Sequence, residues 1–385
     1  MTLNDAIAVA LNTNATVVAG EQKIKFAEAL TVQAGLGPNP RLIFQHENIR
    51  AWERPGPVYL RDTDTFLYAS QTIEAAGKRR LRVETSSAGV ARAEAEQQVL
   101  RTQLAFRVAG AFWAVLGAER VHQLLVEEER NLIQTVRYTE ARVTEGAAAG
   151  VDLLRIRLEQ QRVSALLSTA SQDSARSRAR LFQEMGLPAQ PKVNLSGDLA
   201  AERTVTVPDL VTILDRRPEV QAARRAILQA EANSKLQRAN ARQDPDLLAG
   251  FKRTAGFDTA IFGVQINLPV RNRNQGLIQA ADAEVRSAQA ILRGVGVQVE
   301  AEVSAGLTDY NLKRDLVTKT LPAMLQNARE SSRVVTLAWR EGGIDLLRLL
   351  DTERVRIEVE LQYARALADY QQSAVQLSIA TGVNP

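Results

Sequence analysis

Hydrophobic positions along the chain change from a helical period to a strand period and back, and this order occurs twice. Apolar residues three and four apart predict helix, whereas strict alternation predicts strand. Clusters of glycine and proline, such as those at 35–40 and 52–59, mark boundaries because these residues continue helices poorly. The pattern therefore predicts for the first half a helix over 3–36 that is interrupted near 12–14, strands at about 41–50 and 63–74, and a helical hairpin at about 78–186.

The second half repeats this order after Pro245, which ends a helix. Two strands are predicted at about 246–253 and 257–268, joined by a tight turn at Ala255 and Gly256. The second strand is the clearest, because Phe262 and Val264 alternate with small or amide side chains. A second helical hairpin is predicted at about 276–382.

Two of the helical patterns are far longer than helices of ordinary globular proteins. Residues 78–144 and 276–339 contain few helix breakers apart from Pro322 and scattered glycines. At about 1.5 Å per residue, each extends to about 100 Å. Val121, Leu125 and Leu132 have heptad-like spacing, which predicts a partner helix. A plain antiparallel coiled coil has the same pattern, although the paired strands at one end argue against a purely structural rod.

The two halves are also similar in sequence. Val-Asp-Leu-Leu-Arg at 151–155 returns as Ile-Asp-Leu-Leu-Arg at 344–348, each directly after a glycine-rich break. We interpret the chain as a duplicated helix–strand–strand–long helix–helix unit, with a first repeat over 1–190, a linker at 191–207 and a second repeat over 208–385. Such a duplication is typical of pseudo-symmetric subunits that tile a closed assembly.

Composition excludes several classes of protein. The net charge of +4 is small for 385 residues, and no basic block with interleaved aromatics indicates nucleic-acid binding. The absence of cysteine excludes disulfides, thiolate metal sites and a cysteine nucleophile. His46 and His122 lack the spacing of metal ligands, and no catalytic motif is present. We therefore expect no catalytic residues, no metal site and no cofactor.

Membrane insertion through a helix is not predicted. No apolar run reaches the roughly 18 residues of a spanning helix, and the best candidate, 108–118, lies between Arg107 and Glu119. If this chain crosses a bilayer, a closed β-barrel is the remaining structure that satisfies its backbone in lipid. Four strands cannot close a barrel, whereas three chains supply twelve. No signal peptide is visible, which we interpret as a mature or trimmed N-terminus.

Two segments resemble the outer-membrane efflux protein (TolC-like) family, and the resemblance covers nearly the whole chain. Residues 265–276, Gln-Ile-Asn-Leu-Pro-Val-Arg-Asn-Arg-Asn-Gln-Gly, resemble the family's strand-to-helix exit. The Asn-Arg-Asn-Gln-Gly part is most similar to the heavy-metal efflux branch. Gly-Gly-Ile-Asp-Leu-Leu at 342–347, with Leu350 and Asp351, resembles a second family hallmark.

The resemblance implies a mostly α protein with a small β part. It implies a homotrimer that forms an α-helical barrel and a 12-stranded membrane β-barrel, with four strands from each chain. Such a protein is a passive exit duct in the outer membrane of a Gram-negative bacterium and extends into the periplasm. The implied partners are outer-membrane lipid, a periplasmic adaptor and an inner-membrane pump. Metal ions or small toxic compounds are the implied cargo, and no enzymatic activity is implied.

The resemblance also places a gate near the tip of the second hairpin. Asp351 matches a position where the family forms a carboxylate ring, whereas Arg348 occupies the other such position. Rings of these residues would form circular ion pairs or abolish a cation preference; alternatively, Asp351 is a surface acid paired with Arg354. Asp152 matches a residue that binds a tyrosine, here replaced by Trp339, although it equally suits a helix N-terminus.

The glycine-rich breaks at 145–150 and 341–343 are predicted to be the hairpin tips. The resemblance implies that the tips dock onto the adaptor through Arg142, Gly146, Leu153, Gly342 and Gly343. Two other functions stay open on the sequence alone. One is a periplasmic adaptor, which flanks a single helical hairpin with two halves of a lipoyl-like β domain. The other is a coiled-coil scaffold without a channel.

Overall fold

Helices account for most of the residues that the structure describes, and four strands accompany them. The computed structural model describes residues 1–49, 52, 54, 56, 58–188 and 193–383. Its helices are α1 (Leu3–Thr13), α2 (Ala15–Ala34), α3 (Tyr59–Asp62), α4 (Lys78–Thr144), α5 (Gly150–Glu184), α6 (Leu210–Arg216), α7 (Pro218–Asn240), α8 (Gln275–Asp315), α9 (Leu321–Arg340) and α10 (Leu346–Ala380). Its strands are β1 (Arg41–Glu47), β2 (Asp64–Thr72), β3 (Asp246–Thr254) and β4 (Phe257–Gln265). Arg50 and the first two residues of the predicted linker lie outside the described residues.

The first long helix, α4, is unbroken over 67 residues and has the bounds that the sequence pattern indicates. Lys78 fixes its start, because its Nζ donates hydrogen bonds to the Arg242 carbonyl (2.6 Å) and to Asp244 (2.8 Å). The side chain of Lys78 is only 9% exposed, so its charge is neutralised where it is buried. The beginning of α4 is therefore held directly beside the residues that lead into β3.

The second long helix is not continuous, contrary to the prediction for 276–339. A π-helical turn at Leu316–Thr320 separates α8 from α9. Pro322 explains this break, because proline lacks an amide hydrogen and its ring clashes with the carbonyl four residues earlier. The wider turn accommodates the ring, and the Leu321 amide bonds to the Leu316 carbonyl five residues back.

The four strands form one antiparallel sheet in the order β1-β2-β3-β4. β4 ends short of the predicted limit at 268, because Gln265 pairs with Asp246, the first residue of β3. β1 ends at Glu47, where Asn48 takes the left-handed φ of 57° and turns the chain. Within the described residues, β1 and β4 each keep one unpaired edge.

One face of this sheet is apolar and exposed on all four strands. It is formed by Leu42, Phe44, Leu67, Ala69, Leu247, Ala249, Phe251, Ala260, Phe262 and Val264. Phe262 is 81% exposed and Leu42 is 76% exposed. The opposite face is mainly polar, and there Lys252 Nζ lies 5.1 Å from the centre of the Phe66 ring. A continuous apolar surface of this kind is typical of a membrane or protein contact.

The chain divides into two compact units that differ from the predicted repeats. The first consists of Met1–Gly20, Gln97–Pro218 and Gly296–Pro385, and the second consists of Glu21–Glu96 and Glu219–Val295. The sheet belongs to the second unit, and both hairpin tips belong to the first. Each unit draws residues from both halves of the chain, and the repeat boundaries stay a prediction.

Close helix packing holds the first unit together. Phe112 and Trp113 of α4 lie in its core with α1 and with the end of α5, and their rings meet edge to face at 5.4 Å. Gly117 allows α10 to approach α4, because a Cβ there would lie 2.6 Å from the Cβ of Ala368. Further along the helices, a second cluster joins both hairpins near their tips, so it positions the candidate site.

The expectation that no apolar stretch is long enough to span a membrane was wrong for one helix. α4 contains an 18-residue stretch with mean hydropathy 1.2 and few charges, and 39% of this stretch is buried. A core helix has the same composition, so the stretch is weak evidence for a span. Val108, Phe112 and Val115 of α4 are fully buried against protein here.

Candidate functional site

The tip of the first hairpin is closed by a left-handed glycine. Gly146 has a φ of 73°, its amide bonds to the Val143 carbonyl, and the next amide, of Ala147, bonds to the Arg142 carbonyl at 2.7 Å. This is the Schellman arrangement, in which glycine is favoured because it lacks a Cβ. Arg142 adds a bond from its guanidinium to the Ala147 carbonyl (3.2 Å) and lies 5.8 Å from the Tyr138 ring centre.

The tip of the second hairpin has the same geometry. Gly342 has a φ of 78°, its amide bonds to the Trp339 carbonyl, and the Gly343 amide bonds to the Ala338 carbonyl at 2.8 Å. Gly146 and Gly342 are thus both explained by the turn that ends a long helix. Because the turns themselves require glycine, their presence at the tips is no separate sign of a binding role.

The helices that follow the two tips begin differently, although both carry the Asp-Leu-Leu-Arg sequence. Asp345 is the N-cap of α10, and its carboxylate accepts a hydrogen bond from the Arg348 amide at 3.0 Å. Asp152 is not a cap: α5 begins at Gly150, and its N-cap residue is Ala149. The Asp152 carboxylate lies in the first helical turn, where the helix dipole favours a negative charge. It lies 3.7 Å from Arg155.

Trp339 is a core residue in this structure. It is 8% exposed, and its ring meets that of Tyr138 edge to face with the ring centres 5.3 Å apart. Leu153 packs against the same cluster from the first hairpin. Among the residues that the structure describes, Asp152 and Trp339 share no hydrogen bond. A link between them, which the sequence allowed beside a capping role for Asp152, stays a prediction.

Asp351 and Arg348 do not pair with each other within the chain. The Asp351 side chain is 63% exposed, and its carboxylate lies 3.9 Å from Arg354, one turn further along α10. This is the local pairing that the sequence left open as an alternative. In the described part of the chain, the exposed Arg348 guanidinium has no ion-pair partner. Its positive charge therefore stays available at the start of α10.

Sequence reasoning missed a partly buried group of charges near the tips, which we call the Arg356 cluster. It consists of Glu128 on α4, Arg329 on α9, and Glu353, Arg356 and Glu360 on α10. Arg356 contacts Glu128 at 2.5 Å, Glu353 at 2.7 Å and Glu360 at 3.1 Å, and Arg329 contacts Glu360 at 2.8 Å. The i−3 and i+4 spacing on α10 is visible in the sequence. Glu128 lies 228 positions from Arg356, so no local pattern indicates it.

Burial governs the titration of this cluster. The Glu128 side chain is 5% exposed and that of Arg356 is 16% exposed. Burial raises the pKa of Glu128 above its ordinary value, although Arg356 acts in the opposite direction. Burial also opposes the charge on Arg356, but the surrounding carboxylates outweigh it and raise the pKa of the guanidinium. The cluster thus keeps Arg356 charged and disfavours the charge on Glu128.

A second ion-pair group connects α10 to the other helix of the first hairpin. Glu159 on α5 is 6% exposed at its side chain and contacts both Arg162 (2.5 Å) and Arg354 (2.7 Å). Burial opposes its charge, but hydrogen bonds from the two arginines prevail and lower the pKa of Glu159. Two guanidinium groups therefore pair with one carboxylate here, whereas the Arg356 cluster has more carboxylates than guanidinium groups.

Comparison with known proteins gives a consistent answer. Residues 6–187 match the family model for outer membrane efflux proteins. The chain is 24% identical over 387 residues to the cobalt-zinc-cadmium resistance protein CzcC of Cupriavidus metallidurans, an alignment that covers 99% of this chain and 90% of CzcC. It is 26% identical over 289 residues to the nickel-cobalt-cadmium resistance protein NccC of Alcaligenes xylosoxydans xylosoxydans, covering 74% of this chain and 65% of NccC. The structure of the outer-membrane channel OprN superposes with a TM-score of 0.82 at 20% identity, covering 99% of this chain and 89% of OprN.

These matches confirm the fold class and the function that the resemblance implied. The structural neighbours are TolC-like channels, which combine an α-barrel with a β-barrel. Members of the family serve as outer-membrane components of tripartite efflux systems, with an adaptor and an inner-membrane pump, and they transport rather than catalyse. The adaptor and scaffold alternatives are thereby set aside. Residues 6–187 thus match the outer membrane efflux protein family, and the chain is similar over nearly its whole length to CzcC, which supports its function as an outer-membrane efflux channel.

Proposed function

We propose that three copies of this chain form a passive exit duct in the outer membrane of a Gram-negative bacterium and extend into the periplasm. The exposed apolar face of the sheet carries this proposal. Ten apolar side chains on four adjacent strands point the same way, and lipid is the environment in which such a face is stable. The free edges of β1 and β4 support closure by further copies, because unpaired strand edges are not tolerated in lipid.

The partners of the hairpin tips follow from the family. We place the adaptor contact at the two tip turns and at the residues beside them: Arg142, Gly146, Leu153, Gly342 and Gly343. Glu145 and Glu341 precede the glycines and are exposed, so the turns are accessible to a partner. The inner-membrane pump is the second expected partner, and it is reached through the adaptor.

The cargo that fits the comparisons best is a metal ion, with small toxic compounds as the wider class. This assignment is supported by the names of CzcC and NccC, which are resistance proteins for cobalt, zinc, nickel and cadmium. We expect the cargo to pass without a resident metal. Among the described residues, no group of three or more His, Cys, Asp or Glu side chains is placed to hold an ion.

We assign the gate to the start of α10, with Arg348 and Asp351 facing the entrance, and Asp152 and Trp339 supporting the closed tip. Asp351 is already partly neutralised by Arg354, whereas Arg348 has no ion-pair partner among the described residues of its own chain. Three copies would bring three Arg348 side chains together. A ring of unpaired guanidinium groups attracts anions and repels cations. The resulting entrance would favour anions, in contrast to a gate lined only by carboxylates.

Replacing Arg348 by aspartate is expected to raise the ratio of cation to anion permeability several-fold. The change removes the positive ring and adds three carboxylates at the same place. The measurement is the reversal potential across planar bilayers with a salt gradient. Arg176→Asp is the matched control, because Arg176 is 78% exposed on α5 and away from the tips. An unchanged reversal potential in Arg348→Asp would remove Arg348 from the gate.

A further inference from the structure

We propose that the Arg356 cluster is a proton-sensitive clasp between the two hairpins, which tightens when the periplasm becomes acidic and then favours the closed gate. The inference rests on the proposed gate, because the distance between the hairpin tips affects conduction if the gate lies at the tips. The cluster shares α9 and α10 with proposed gate residues but consists of other side chains, and it joins these helices to α4 of the first hairpin.

Three carboxylates face two guanidinium groups in the cluster. Glu128, Glu353 and Glu360 surround Arg356, and within the described residues Glu360 alone has a second cationic partner, Arg329. The Ser332 hydroxyl donates a hydrogen bond to Glu353 at 2.5 Å but brings no charge. The cluster therefore carries one uncompensated negative charge in a region where three of its side chains are at most 16% exposed. Such a charge opposes the contact between α4 and α10.

The nearby charges on the other packed elements do not supply the missing compensation. On α5, Glu159 is paired with Arg162 and Arg354. On α9, Arg333 is paired with Glu330. Arg340 lines the same cavity as Glu128 but is exposed at the end of α9. Arg120 of α4 lines a cavity beside Arg329 and Glu360 but is exposed as well. Among the described residues no further cation forms an ion pair with these carboxylates, so protonation of one of them would neutralise the cluster.

Glu128 is the carboxylate that takes this proton, on grounds of geometry. Its side chain is the least exposed of the three carboxylates. It alone comes from the first hairpin, so its charge state acts directly on the contact between hairpins. A cavity of about 670 Å³, lined by Glu128, Glu353, Ser332 and Thr336 among others, lies between the two hairpins and gives protons access. Burial also raises the pKa of Glu128.

The direction of the pH effect follows from linkage. When the hairpins are together, Glu128 is buried and its pKa is raised; when they separate, it returns towards its ordinary value of 4.5. The closed arrangement therefore binds a proton more tightly than the separated one, and acidification strengthens it. The effect develops as pH falls through the raised pKa and stops below the ordinary value, where both states are protonated. Glu128→Gln should imitate the protonated form at every pH.

The test combines conduction with a distance measurement. The chain has no cysteine, so single cysteines in place of the exposed tip residues Glu145 and Glu341 give specific spin-label sites. We expect the wild-type sequence to lose open-channel current and long label-to-label distances as the pH is lowered from neutral towards 4.5, the ordinary pKa value for Glu128. Glu128→Gln should show little current and short distances at both ends of this range. Glu140→Gln, which alters an exposed pair with Arg157, should keep the wild-type pH response.

The possible failures are distinguishable. Current that responds to pH equally in wild type and in Glu128→Gln would overturn the clasp and leave the channel intact. Distances that are insensitive to pH in the wild type would overturn it as well. No current at any pH, together with distances that shorten on acidification only when Glu128 is present, would contradict the proposed duct but support the clasp.

Discussion

Replacing Arg356 by methionine is expected to lower the free energy of unfolding by about 3–5 kcal/mol, the usual cost of removing one partner from a buried ion pair. The variant leaves Glu128, Glu353 and Glu360 together with only Arg329 to balance them. Methionine fills similar space, so the loss of charge is the main change. The measurement is the midpoint temperature of helix loss in detergent, followed by circular dichroism, which should fall by several degrees.

The control for Arg356→Met is the same substitution at an arginine whose ion pair is exposed to water. Arg333 is 62% exposed and pairs with Glu330 three residues away on α9. Exposed pairs of this kind contribute about 0–1 kcal/mol, so Arg333→Met should leave the midpoint nearly unchanged. Equal effects of the two substitutions would show that the Arg356 cluster does not hold the hairpins together.

Placing a lysine at Phe262 is expected to cost about 2–4 kcal/mol of membrane insertion, which is the range for a basic residue on the lipid face of a barrel. Phe262 is 81% exposed and belongs to the apolar face of β4. A positive charge there would have to enter the hydrocarbon region. The measurement is the equilibrium between folded, inserted protein and unfolded protein in lipid vesicles across a urea series.

Ile261 provides the matched control for Phe262. It is the next residue on β4, pairs with Gly250 and points to the opposite, mainly polar face. Ile261→Lys lies at the same depth but faces away from the proposed lipid contact. Its urea midpoint should stay close to that of the unaltered protein. If Ile261→Lys lowers insertion more than Phe262→Lys, the two faces of the sheet have been assigned the wrong way round.

The elements that the sequence predicts well are those governed by a single local rule. β4 shows a period of two because one of its faces is apolar, and α4 runs without a break because few residues in it oppose helix formation. The π-helical turn before α9 was not predicted, although Pro322 was visible. How a helix accommodates a proline depends on which carbonyls its neighbours satisfy, and this is decided by packing.

Several contacts of the candidate site could not be predicted from the local sequence. Asp152 and Asp345 lie in nearly identical pentapeptides, yet only Asp345 caps its helix. The difference arises because α5 begins at Gly150, before its aspartate, whereas α10 begins after it. The contact of Glu128 with Arg356 joins distant parts of the chain, so it becomes visible only once the hairpins are packed. Ring-forming roles of Arg348 and Asp351 depend on further copies and stay predictions.

The most direct test of the duct is electron microscopy of the full chain in lipid nanodiscs. We expect particles with threefold symmetry and a central hole, in which the strands lie within the disc and helices of about 100 Å project from it. Each particle should contain three copies, and the apolar face that includes Leu42 and Phe262 should contact lipid. Single copies or slender rods without a hole, with the sheet outside the disc, would contradict the account.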